Sequence, residues 1–72
     1  MPESARKVVT DQAVLEKTGK SWPEWTRILD QWNIPEKGHT ATARFLREEH
    51  GLPRWWAQAL TVRRERELGL RE

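Results

Sequence analysis

Ser21-Trp22-Pro23-Glu24-Trp25-Thr26-Arg27-Ile28-Leu29-Asp30-Gln31-Trp32 is the stretch whose reading decides the fold. Ser21 and Glu24 have the spacing of a capping box, in which each side chain accepts a backbone N–H at the start of a helix. Pro23 fits a first turn, where its missing N–H has no helical partner to lose. Trp22, Trp25, Ile28, Leu29 and Trp32 then recur at helical spacing and form one apolar stripe. Glu24, Arg27, Asp30 and Gln31 take the other faces. Ile34-Pro35 predicts the helix end, because the residue before a proline is pushed out of the helical region.

Toward the N-terminus, Thr10 offers a cap for a short helix over Asp11–Thr18, with Val9 and Val14 as a hydrophobic staple. Gly19 can adopt the left-handed conformation that closes such a helix. Residues 1–7 lack periodicity and read as a frayed tail, leaving 8–70 as a single helical domain. Toward the C-terminus, Pro35-Glu36-Lys37-Gly38 reads as a turn. A third helix follows from Thr40, itself a capping residue, to His50, with Ala41, Phe45 and Leu46 inward and Gly51 as its stop. Pro53 suits the first position of a fourth helix. There Trp55, Trp56, Ala59, Leu60 and Val62 make a wide apolar arc, and Gly69 ends it. No segment alternates as a strand does. The pattern predicts an all-α fold, a small orthogonal bundle of four short helices with a tryptophan-rich core and Trp25 and Trp56 at its centre.

The chain has 72 residues, five of them Trp and none Cys, with 13 basic against 11 acidic side chains. A length in this range makes one domain near the lower limit of independent folding. Without cysteine no disulfide can staple it, and a cytoplasmic setting is the default expectation. The opening residues hold no apolar core of signal-peptide length, and no segment approaches the ~20 apolar residues that span a bilayer. Charges of both signs are interleaved, as in Arg63-Arg64-Glu65-Arg66-Glu67, which reads as a solvated mixed surface.

Several stretches together resemble a small bacterial helical domain family of unknown function. They are Thr18-Gly19-Lys20-Ser21-Trp22 with Trp25, Leu29-Asp30, Gly38-His39-Thr40, Leu46-Arg47-Glu48-Glu49-His50-Gly51, Trp55-Trp56-Ala57-Gln58 and Thr61-Val62. The resemblance runs from about Thr10 to Gly69. Members of that family occur alone or fused to other small domains, including START-like ligand-binding domains. The resemblance implies no activity, and its usual Tyr-Glu pair is Arg64-Glu65 here.

Familiar chemical motifs are incomplete. Gly19-Lys20-Ser21 precedes a helix, but a phosphate-binding loop needs a glycine where Val14 stands and a buried strand before it. His39 and His50 are the only histidines, too few for a zinc site unless tertiary packing adds Asp30 or Glu49. No nucleophile is placed beside a base, since Ser21 is committed to a cap. The expectation is a protein without catalysis, metal or cofactor.

Polar residues that a helical core does not require are the remaining signal. Lys20, His39 and Gln58 lie near tryptophans in sequence or on a helix turn. With Trp22, Trp55 and Trp56 they form a candidate site for a small molecule or a segment of a partner protein. Such a site expects Trp22 or Trp55 to stand partly exposed; the competing expectation is a hydrogen-bond network that fixes helix packing. An alternative function is nucleic-acid binding through Arg54, Arg63, Arg64 and Arg66. Residues 60–72 hold four Arg and three Glu, however, so the predicted electrostatic drive is weak.

Overall fold

A computed structural model of the chain describes residues 10–70. Five helices follow one another: α1 (Asp11–Thr18), α2 (Trp22–Trp32), α3 (Ile34–Lys37), α4 (His39–His50) and α5 (Arg54–Glu67). The described residues contain no strand. The expected Val9 staple and the tail over residues 1–7 lie outside the described residues.

Local signals set the first two helices. The Thr10 hydroxyl accepts the Ala13 N–H at 3.1 Å, and Gly19 closes α1 in the left-handed region. Ser21 and Glu24 form the reciprocal capping box, with the Ser21 N–H donating to Glu24 Oε1 at 3.0 Å. The end of α2 differs from expectation. Asn33 takes a left-handed backbone (φ 73°) and stops the helix at Trp32. Asparagine adopts this conformation more readily than most side chains. Ile34-Pro35-Glu36-Lys37 then starts again as the one-turn helix α3 instead of an open turn, because a proline is well suited to a first helical turn. Ile34 is buried and pins this turn to the core. The bundle therefore has five helices, not four.

Helix α4 begins at His39 with Gly38 as its cap residue, and Gly38 occupies a conformation (φ 94°, ψ 164°) that suits glycine alone. Thr40 is exposed and is not the cap. The inner face of α4 is Thr42 and Leu46, with Ala41 and Phe45 only half-buried. Pro53 stands just outside α5 as its cap residue, one position earlier than expected.

The core holds Val14, Trp22, Trp25, Leu29, Ile34, Leu46, Leu52, Ala57 and Leu60, with Ile28, Trp32, Ala43, Phe45 and Trp56 at its edge. Trp25 is central at 1% exposure, whereas Trp56 is only half-buried. On α5 the buried positions are Ala57, Leu60, Thr61 and Glu65, so the expected arc is rotated outward. Trp55, at its start, is 60% exposed. The α4–α5 pairing is the most extensive helix contact, and it selects the face of α5 that is turned inward.

Candidate functional site

A buried indole N–H needs an acceptor, and three of the tryptophans find one on a distant side chain. Trp25 Nε1 donates to Thr18 Oγ1 at 2.9 Å, and Thr18 in turn donates to the Val14 carbonyl at 2.6 Å. Trp32 Nε1 donates to Thr42 Oγ1 at 2.9 Å, and Thr42 donates to the Gly38 carbonyl at 2.7 Å. Trp22 Nε1 donates to Glu67 Oε2 at 3.0 Å.

Glu67 is also the centre of an ionic clasp. Arg64 donates to it through Nη1 at 2.9 Å and grips Asp30 on α2 through Nη2 at 2.8 and 2.9 Å. Arg63 lies over the Trp22 ring, 4.2 Å from its centroid, and reaches Asp11 on α1 at 2.6 Å. The last turns of α5 are thereby tied to both α1 and α2. Partial burial penalises the Arg64 charge, yet the hydrogen bonds to Asp30 and Glu67 and the charges of both carboxylates together outweigh that penalty and hold its pKa above the ordinary guanidinium value. Its contribution to stability is complete at every pH below that ordinary value and is lost only in strong alkali. His39, the first residue of α4, places Nδ1 3.1 Å from the buried carboxylate of Glu65.

A second set of rings runs along α2 and α4. Trp32 stacks on Phe45 at 4.1 Å, and His50 packs edge-on between Phe45 (5.1 Å) and Trp25 (5.2 Å). Lys37 covers Trp32 at 4.4 Å and Lys20 approaches Trp25 at 5.6 Å. Among the described residues no group of three or more His, Asp or Glu side chains is arranged to hold a metal.

The structure divides the candidate residues between two ends of α5. Trp22 and His39 meet the carboxylates of Glu67 and Glu65 near its C-terminal end, and Lys20 lies with Trp25. Trp55 and Trp56 form an edge-to-face pair at its N-terminal end, centroids 5.1 Å apart, with exposed Gln58 one turn on. At 1.5 Å per residue, about 10 Å of helix axis separates Gln58 from Glu65. Lys20, His39 and Gln58 do not converge. Of the arginines, Arg63 and Arg64 are committed to intramolecular pairs, while Arg54 and Arg66 are exposed. Glu65, Glu67 and Thr42 are the partners that sequence reasoning missed; the signal available for them was the need of each indole N–H for an acceptor.

A family model described as a domain of unknown function, DUF4287, matches residues 11–64, most of the chain. The chain belongs to the DUF4287 family. The match begins with the first residue of α1 and ends at Arg64 in α5. No curated protein and no solved structure matches it. In this DUF4287 domain the clasp between α5 and α2 is built on Arg64, the last residue of the match. No described helix is long and apolar enough to cross a membrane.

Proposed function

We propose that this DUF4287 domain is a non-catalytic, cytoplasmic binding module that docks a segment of a partner protein through Trp55, with Trp56 and Gln58 beside it. One observation carries the reading. Trp55 is 60% exposed, whereas Trp22, Trp25 and Trp32 are built into the core or its edge with their N–H groups satisfied. A domain this short gains most from burying its largest side chains, and a tryptophan held at the surface against a second ring has the character of a binding anchor. Such exposure suits a partner surface better than a small molecule, which binds in an enclosing concavity. The family resemblance, with members fused to ligand-binding domains, supports an accessory role. The nucleic-acid alternative keeps only Arg54 and Arg66 of its four arginines free of the clasp, too few for strong counterion release.

The test is a photo-reactive amino acid placed at position 55 and, as a control, at exposed position 27 in the living cell. A protein adduct at 55 and none at 27 is expected. An adduct to nucleic acid, or none that depends on position 55, refutes the reading.

A further inference from the structure

Deepening the reading just proposed, and resting on it, we infer that the partner segment is an acidic amphipathic helix lying along the outer face of α5. Successive residues of a helix are turned by 100°, so Trp55, Gln58, Ala59, Val62 and Arg66 share one stripe. The burial pattern agrees. Ala57, Leu60 and Thr61 are buried on the opposite side and Glu65, seven residues after Gln58, is buried at the border of the stripe, while Trp55, Gln58 and Arg66 are exposed and Ala59 and Val62 half-exposed. Apolar side chains at i, i+4 and i+7 form the row by which one helix recognises another.

The charge of this face follows from the tertiary structure. In the sequence, Glu65 and Glu67 dilute the arginines of α5. In the fold, Glu65 is buried at His39, and Glu67 is turned toward Trp22 and Arg64. The outer stripe of α5 thus carries cationic Arg66 at one end and is flanked at the other by exposed Arg54, a 100° turn from Trp55, while the carboxylate at its border, Glu65, is buried. These arginines are twelve residues apart, about 18 Å along the axis. A second copy of this chain is disfavoured as the occupant. Antiparallel pairing of two α5 faces sets Arg54 against Arg66, and parallel pairing sets each arginine against its own copy; like charges so juxtaposed cost affinity and suppress the wrong partner. Residues 1–9, with Arg6 and Lys7 against Glu3, carry the same sign. A helix with its own apolar row and flanking Asp or Glu is complementary in both shape and charge.

The experiment uses the full chain and two synthetic helical peptides of ~16 residues, long enough to span the face. Both have the same leucine row; one is flanked by Glu and the other by Lys. Binding is followed by tryptophan emission and by amide shifts in a 15N-labelled sample. The expected result is shifts confined to α5 and the residues packed beside Trp55, with the Glu peptide bound at least ~10-fold more tightly than the Lys peptide. Charge reversal by Arg54→Glu with Arg66→Glu inverts that preference while the melting temperature stays within a few degrees of the parent. Trp55→Ala weakens both peptides. Equal binding of the two peptides, still lost in Trp55→Ala, overturns the acidic partner and leaves the docking role of Trp55 standing. No binding of either peptide, shifts on another face, or Trp55-dependent self-association in sedimentation overturns the inference. A position-55 adduct to a protein segment would then still uphold the broader proposal.

Discussion

Thr18→Val tests whether the buried tryptophans are held by their polar edges as well as by packing. Valine is nearly isosteric with threonine, so the substitution deletes one hydroxyl and leaves the outline of α1 intact. The Val14 carbonyl keeps the backbone N–H of the helical turn and loses only a second donor, and the Lys20 backbone loses longer contacts with the hydroxyl at 3.2 and 3.3 Å. The Trp25 indole N–H is worse placed. Its ring is 1% exposed and its acceptor is the Thr18 hydroxyl at 2.9 Å. Orphaning a buried donor costs about 1–3 kcal/mol, and the added methyl returns a few tenths of a kcal/mol because the site is only partly buried. A net loss of about 1–2 kcal/mol is expected. In a domain of this size that lowers the melting temperature by roughly 5–15 °C. Thermal unfolding by circular dichroism measures it directly. The control is the same change in a Trp25→Phe background, where no indole N–H is left to orphan and the only donor that loses the hydroxyl is the Lys20 N–H, in long contact at 3.3 Å, so the further cost of Thr18→Val falls well below that in the parent. A variant melting within about 2 °C of the parent, or an undiminished cost in the Phe background, would refute the reasoning.

Three other outcomes follow from the same structure. Trp25→Ala costs about 3–5 kcal/mol, half-buried Trp56→Ala clearly less, and exposed Trp55→Ala within about 0.5 kcal/mol of zero; chemical denaturation of the three variants ranks them. Ser21→Ala removes the acceptor of the Glu24 N–H and destabilises α2 by about 0.5–2 kcal/mol, with a fall in urea midpoint at unchanged slope as the readout. Arg64→Met breaks the fork onto Asp30 and leaves Glu67 with one cation fewer, so stability drops by about 1–2 kcal/mol, and high salt narrows the difference between variant and parent.

Residues such as Thr10, Ser21, Glu24 and Gly19 were legible in the sequence because caps act over three or four positions of the same chain. The candidate site was less so. Helix α5 has apolar or long side chains on nearly every side, so the spacing of Trp55, Trp56, Ala59, Leu60 and Val62 leaves its inward face open. Packing against α4 resolved this in favour of Ala57, Leu60 and Thr61. Trp56 consequently sits at the core's edge, and Trp55 outside it.

The sequence by itself therefore determined an all-helical chain and the bounds of α1 and the start of α2, where each hydrogen bond closes between near neighbours. Only the tertiary structure decided the polar partnerships. Trp22 meets Glu67, 45 residues away, Arg64 meets Asp30 and His39 meets Glu65 because the helices bring those atoms together, and nothing in local spacing encodes such meetings. The same packing turned the acidic side chains of α5 away from its outer stripe and left Trp55 in solvent. An indole N–H or a buried carboxylate must find a counterpart wherever the fold supplies one, and that choice is made by the whole molecule at once.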